Sequence, residues 1–366
     1  MKPLRLSIIG AGHLGRIHAR LAVDLPDTQL VAVCDPSQSA RHQVATDTRT
    51  RPVADYRQLF GQIDAAIVAA PTSEHHAIGV ELAQQGIHLL IEKPLAPTLD
   101  AAEALVAAAD HHHVVLQVGH VERFNAAFQS AAGYLADPKY IEASRLSSYP
   151  FRSTDTGVVM DLMIHDLDIV LTLADADVRT VEAFGLTVLG GHEDVAQARI
   201  TFENGCVANL TASRVSYESC RKMNVWTRSV FASLDFASGI ATLVKPRYDV
   251  LNRQIDVDSL TPDQQSHLKE HLFEELLVKR TLGSVSVNAI VEEQRDFVTS
   301  IRNHQTPRVP GAAGRDAVAL AERVLTAIDQ HTWDGDAHGR VGPLAAPSTP
   351  ILKSPHWNEP ARREAG

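Results

Sequence analysis

The chain is short of several things, and each scarcity narrows what it can be. It has three cysteines, Cys34, Cys206 and Cys220, in 366 residues. That is too few for a disulfide framework and suits a reducing compartment. No apolar run reaches the ~20 residues that a membrane-spanning helix needs. The first residues lead into a strand-like segment at Leu4 with no signal-peptide core, so the expected location is cytoplasmic. Positive charge is not in excess: 34 Lys and Arg stand against 44 Asp and Glu, a formal net charge of −10. This balance argues against a nucleic-acid or anionic-membrane partner. A phosphate ligand would need backbone amides and a few local cations. What is present, 45% hydrophobic and 21% charged residues, describes a globular protein with apolar content for two cores. Two domains are also what the length predicts.

Residues 4–9 read as a buried strand and 16–25 as a helix, with Gly10-Ala11-Gly12-His13-Leu14-Gly15 between them. This is GxGxxG in a strand–turn–helix setting. Gly10 permits the tight turn, Gly12 lets backbone approach a pyrophosphate, and Gly15 lets helix pack on strand. The helix N-terminus offers free amides to the phosphates. A second strand over 30–34 ends in Asp35, twenty residues beyond Gly15. An acid there accepts hydrogen bonds from the adenosine ribose and repels the 2′-phosphate of NADP, so NAD is the expected cofactor. Arg41 is placed where it could soften that repulsion.

The alternation continues with a strand over 63–70, then Pro71-Thr72-Ser73 and a helix over 74–85 with Gly86 as its left-handed cap. A strand over 88–91 leads into Glu92-Lys93-Pro94, followed by a helix over 98–110 and a strand over 114–118. The pattern predicts an α/β protein whose N-terminal domain, residues 1–122, is a Rossmann-type doubly wound parallel sheet. Ligands bind beyond the carboxyl ends of such strands. Pro71, Thr72, Glu92, Lys93 and Gly119-His120 fall there, with His75 one helical turn in. His75 is a candidate for touching nicotinamide or substrate. His111-His112-His113 reads as a solvated turn, since no Cys or acid stands at zinc-ligand spacing; no metal is expected.

From Lys139 the texture changes. Segments 141–148, 180–189, 195–202, 206–213, 223–227, 230–236 and 240–244 read as strands, and Asn204-Gly205 is a hairpin signal. They predict a C-terminal α+β domain, residues 123–333, with a large, mostly antiparallel sheet. One face of that sheet is expected to pair with another subunit in a homodimer or homotetramer, since an uncovered sheet invites association. Helices are expected over 286–304 and 316–331, and 334–366 is expected to be a tail with little structure of its own. Near the start of this domain, Asp161 and His165 interrupt an apolar run that includes Val158, Val159, Leu162, Met163 and Leu167. On a helix they share one face. Two titratable groups there are costly unless paired or employed. A buried ion pair or helix cap is the plain alternative.

On Gly10 to Gly15, Glu92-Lys93-Pro94 and the Asp161/His165 helix, the chain resembles the Gfo/Idh/MocA oxidoreductases over about residues 4 to 330. The resemblance implies that Lys93 lies between nicotinamide and substrate and that Asp161 and His165 complete the catalytic group. Segments Gln117 to Asn125 and Asp155 to Asp166 further resemble members that oxidise the 3-hydroxyl of UDP-N-acetylglucosamine or its uronic acid, for lipid A or surface polysaccharide. Ala126 departs from a proline common after that asparagine. With Lys93, Asp161 and His165, the candidate substrate-binding residues are His120, Arg123, Asn125 and Arg152.

Oxidising a secondary alcohol needs a base for the hydroxyl proton as hydride leaves for nicotinamide. His165, with an ordinary pKa near ~6.5, or Lys93 can serve. Arg123, Arg145 and Arg152 are candidates for a diphosphate. A dehydrogenase of inositol or a free sugar, and a non-catalytic NAD or sugar sensor, are the competing readings.

Overall fold

Strand β1 (Leu4–Ile9) lies inside a six-stranded sheet and buries Leu6, Ile8 and Ile9, as a strand covered on both faces must. The computed structural model describes residues 2–151, 156–189, 191–283 and 288–331. Helix α1 (His13–Ala22) returns the chain to β2 (Thr28–Cys34); α2 (Gln38–Thr48), β3 (Arg51–Val53) and β4 (Ala65–Val68) follow. Then come α3 (Thr72–Gln84), β5 (His88–Glu92), α4 (Leu99–His111) and β6 (Leu116–Gly119). The order is β3-β2-β1-β4-β5-β6 with every pair parallel. The strand order reverses beside β1, so the carboxyl ends of β1 and β4 border the crevice such sheets use for ligands.

A short helix α5 (Ala126–Ala131) leads to β7 (Tyr140–Leu146) and then to a π-helical turn (Val159–Met163) continued by α6 (Ile164–Ala174). Strands β8 (Val178–Leu186), β9 (Val195–Phe202), β10 (Val207–Ser213), β11 (Cys220–Trp226), β12 (Phe231–Asp235) and β13 (Ile240–Pro246) come next. After short helices α7 (Tyr248–Leu251), α8 (Pro262–Glu270) and α9 (Leu272–Glu275), β14 (Leu277–Gly283) completes an eight-stranded sheet, β14-β13-β12-β11-β7-β10-β9-β8. Only β7 and β10 pair in parallel; the other pairs are antiparallel. Alternation decides its faces: Ala196, Ala198, Ile200, Ala208, Leu210 and Ala212 are buried while their neighbours along β9 and β10 are partly open. Helices α6 and α11 (Gly311–Gln330) cover the buried side. Helix α10 (Ala289–Asn303) instead crosses back to pack beside α1.

Several elements differ from the sequence expectations. Helix α1 begins three residues earlier than expected, directly after Gly12. Helix α2 and β3 were not foreseen, because α2 buries only Val44, Ala45 and Thr48 and so shows little helical periodicity. Helix α11 starts at Gly311 rather than near Asp316, and its glycines explain why. A Cβ on Gly311 would come within 2.5 Å of Leu116 and one on Gly314 within 2.6 Å of Val118. What looks like connection chemistry is a close helix–strand contact. Arg152 and the 334–366 segment lie outside the described residues.

Candidate active site

The loop after β1 is shaped by what its glycines lack. Gly10 has φ +101°, and a Cβ there would strike Ala69 O at 2.5 Å; at Gly15 a Cβ would lie 1.8 Å from Gly10 O. At Gly12 a Cβ would meet nothing within 4 Å. The space over Gly12 is therefore open on the ligand side. No side chain caps α1, so its first amides are available to an anion, with exposed His13 and half-buried Leu14 beside them. Asp35 is buried at the end of β2 and braces this loop: its carboxylate accepts from Ala11 N and Ser37 N, each at 2.7 Å. Arg41 Nη1 donates to the Pro36 carbonyl at 3.0 Å, which holds it on the backbone next to Asp35. These residues fit a dinucleotide.

At the neighbouring strand ends, Pro71 precedes α3 and Thr72 begins it. His75 does not face the crevice. Its ring is 1% exposed and sits between two backbone carbonyls, Nδ1 2.9 Å from Pro94 O and Nε2 2.8 Å from Ala70 O. It ties the end of β4 to the segment that carries Lys93, which is joined to Pro94 by a cis peptide bond. Burial holds its pKa below the usual histidine value. Glu92 also points inward. It is buried and bonds His18 Nε2 at 2.7 Å.

Lys93 crosses to the second half of the chain. Its Nζ donates to the Asp161 carbonyl at 2.6 Å and to Asp161 Oδ1 at 2.9 Å. The expected regular helix between Asp161 and His165 is instead a π-turn running into α6. Such wide turns gather at functional sites, and here the carbonyl and one carboxylate oxygen of Asp161 meet one ammonium. Glu193, from the β8–β9 connection, holds the start of the turn: Val158 N donates to its carbonyl and Val159 N to its Oε1, both at 3.0 Å. His165 follows at the start of α6. Its ring meets that of His120 edge-on, centroids 6.1 Å apart. His165 Nδ1 and both ring nitrogens of buried His120 have no protein partner. Burial first, then the charges of Lys93 and Arg145, hold the His165 pKa well below 6.5. Burial lowers His120 likewise. The pair is therefore neutral near pH 7, with nitrogens able to accept or donate to a ligand.

Behind this pair lies an ion cluster that sequence reasoning read differently. Arg145, 5% exposed, donates to both oxygens of Asp166 at 3.0 and 2.9 Å and to Glu122 at 2.8 Å. Burial opposes its charge, but Asp166 and Glu122 more than offset this and raise its pKa. It clamps β7 to the residues next to His165 and His120 and is no diphosphate ligand. Arg123 is likewise committed, to Thr172, to Asp168 at 3.5 Å and to the Arg308 carbonyl at 3.3 Å. Asn125 is a helix cap: Oδ1 accepts from Ala127 N, and Nδ2 donates to Glu122 and to Phe236 O. Such residues announce nothing in sequence, because their partners are distant along the chain.

Beneath Glu92 lies a polar core that the motifs did not reveal. His18 bonds Glu92 through Nε2 and Gln294 through Nδ1, at 2.9 Å. Glu293 is fully buried, with neither carboxylate oxygen partnered and polar atoms of His18 and Glu92 within 4.8 Å. Burial, then the Glu92 charge, pushes its pKa well above 4.5, so it is held as a neutral acid. The unfolded chain releases this proton near 4.5 and the folded chain does not, so stability falls as pH rises from 4.5 toward the raised value. Glu293→Gln keeps the shape and stays neutral. Its denaturation midpoint should pull ahead of the parent's as pH is raised from about 5 to about 8, with no gain at the acid end. Midpoints that run parallel over that range would show Glu293 to be ionised in the fold.

Comparison with known proteins agrees with this arrangement. Residues 4–120 match the oxidoreductase family with the NAD-binding Rossmann fold, and residues 100–228 match the GFO/IDH/MocA C-terminal domain. A UDP-N-acetylglucosamine 3-dehydrogenase of Acidithiobacillus ferrooxidans is 35% identical over 328 residues, 89% of this chain and 97% of that protein. The solved structure of that enzyme superposes with a TM-score of 0.78 at 33% identity, covering 90% of this chain and 99% of the other. A scyllo-inositol 2-dehydrogenase (NAD(+)) of Bacillus subtilis is 31% identical over 232 residues, 58% of this chain and 68% of that protein. Among the described residues no helix is long and apolar enough to cross a membrane. With the parallel sheet, the eight-stranded sheet and a full-length relative all in agreement, the chain belongs to the Gfo/Idh/MocA family and is an oxidoreductase of that type.

Proposed function

We propose that the chain oxidises the 3-hydroxyl of a UDP-linked N-acetylglucosamine-type sugar, UDP-N-acetylglucosamine or its uronic acid, to a 3-keto sugar, with NAD as the acceptor. The observation that carries the chemistry is the Lys93–Asp161 ion pair beside a neutral His165. The substrate class rests on likeness along nearly the whole of the Acidithiobacillus dehydrogenase. When bound, NAD supplies the hydride acceptor. The chain's own residues do the rest. The Gly10-to-Gly15 loop and the α1 amides receive the pyrophosphate, Asp35 the adenosine ribose, and Pro71 and Thr72 border the nicotinamide side. Lys93 spends two of its three N–H donors on Asp161, and the third is directed to the sugar oxygen. His165 accepts the hydroxyl proton, which a neutral imidazole can do and an imidazolium cannot. His120 offers its ring nitrogens to a neighbouring sugar hydroxyl.

The working unit we propose is a homo-oligomer formed through the outer face of the eight-stranded sheet. Tyr140, Trp226 and Phe231 stack there with ring centroids 5.0 and 4.9 Å apart and remain partly open, an aromatic patch suited to burial against another copy.

The test is NADH formation with UDP-N-acetylglucosamine, its uronic acid, free N-acetylglucosamine and myo-inositol. An aminotransferase and glutamate are added to remove the keto product, and NADP is run in parallel. A UDP-sugar should be preferred, and NAD should be preferred to NADP because Asp35 repels a 2′-phosphate. If the free sugar or inositol outperforms both UDP-sugars, the reading fails in favour of the inositol-type alternative. No turnover of any of them would place the substrate outside these classes.

A further inference from the structure

Residue alternation along β11 puts Arg221 on the same side as Met223 and Val225, which are fully buried. Arg221 faces Arg145 across the β7–β11 pair, on the side of the sheet that carries the ion cluster behind His165. Yet its side chain is 50% exposed. The core stops before it, and its guanidinium stands at an opening beside the catalytic residues, close enough for its charge to act on His165. Its partner there is a loose one: Nη1 is 3.9 Å from Glu122 Oε1, beyond hydrogen-bond distance. Glu122 is already held by Arg145 and Asn125. Among the described residues, the other arginines of this region are spoken for. Arg145 is buried on two carboxylates, Arg123 is bound to Asp168 and a carbonyl, and Arg214 is 1% exposed and bonded to Asp194.

We infer that Arg221 is a substrate-binding cation of this site, taking an oxyanion carried by the sugar substrate. This rests on the nucleotide-sugar reading above and deepens it. The guanidinium presents planar paired N–H donors that match phosphate or carboxylate oxygens, and an exposed arginine with no close partner gives up little to bind one. The oxyanion can come from the diphosphate or, in the uronic acid, from the ring carboxylate. Arg221 is a residue that sequence reasoning passed over, because it lies in a strand with no motif.

The experiment is Arg221→Ala and Arg221→Lys beside the parent, with KM and kcat for UDP-N-acetylglucosamine and for its uronic acid. Affinities for NAD, UDP and pyrophosphate are measured by calorimetry. Arg221→Ala should raise KM about 10- to 100-fold with kcat changed only a few-fold, and Arg221→Lys should recover part of the loss. NAD affinity should not move. A rise for both sugars with weakened UDP and pyrophosphate binding assigns the diphosphate. A rise for the uronic acid alone assigns the carboxylate. Unchanged KM for both, in a parent that turns them over, overturns the assignment while the nucleotide-sugar reading stands. If the parent turns over neither sugar, that reading has failed. Weakened UDP or pyrophosphate binding in Arg221→Ala would then still sustain an anion site, and unchanged binding would overturn it.

Discussion

Lys93→Met and His165→Ala are each expected to lower turnover by at least ~100-fold, the scale of a lost proton-transfer group, with NAD affinity altered only a few-fold. Lys93 reaches Asp161 and His165 sits at the head of α6, while the loop for the pyrophosphate lies at β1 and α1. Removing either side chain should therefore leave the adenosine and pyrophosphate contacts in place. The two variants should differ in one respect. His165 is held neutral by burial and by neighbouring positive charge, so parent activity should persist as pH falls through ~6.5, where an ordinary histidine takes its proton. Losing Lys93 removes one of those charges, and the remaining activity of Lys93→Met should fall away at higher pH than the parent's. Stopped-flow measurement of NADH formation across pH, with cofactor binding followed by fluorescence, checks both statements. Full activity in either variant removes that residue from the proposed group.

The sheet that holds the cofactor was legible because its signals are local. A continuous apolar strand, glycines at fixed spacing and an acid twenty residues later need no distant partner to be read, and β1, β2 and Asp35 appear where they were expected, with α1 starting three residues early. Lys93 and Asp161, which the fold pairs, and His120 and His165, whose rings meet, were singled out from equally local signals, a strand end or an interrupted apolar run. Their mutual geometry was not legible. The π-turn depends on Glu193, more than thirty residues away in sequence. The true tasks of Arg123, Asn125, Glu92 and His75 depend on carbonyls and carboxylates that only the fold brings near. An arginine in a sequence advertises a charge and not its partner. That is why Arg123 and Arg145, read as phosphate ligands, are held instead by partners within the fold, while Arg221 escaped notice.

Arg145 shows how far a structural ion cluster can reach into chemistry. Arg145→Met should cost ~3–5 kcal/mol of stability, because it strips buried Asp166 of its cation and leaves buried Glu122 with only Asn125 and the distant Arg221, rather than merely removing an attraction. Asp166 and Glu122 are both buried, and the guanidinium engages three of their oxygens. Arg145→Lys should recover only part of the loss, since a single ammonium cannot reproduce the two parallel bonds to Asp166. Replacing all three residues by Met, Gln and Asn should restore much of the stability, as no buried charge then lacks a partner. Arg145→Met would also differ in its chemistry. Arg145 is one of the charges that keep His165 neutral, so with Arg145 gone and the carboxylates still in place the imidazole takes its proton more readily and the acid limb of the pH–rate profile should move to higher pH. Denaturation midpoints and pH profiles for the three variants separate the effects. Arg145→Met with stability within ~1 kcal/mol of the parent would mean that the carboxylates find water or protons instead. An acid limb unmoved in Arg145→Met would mean that burial and the Lys93 charge suffice to keep His165 neutral.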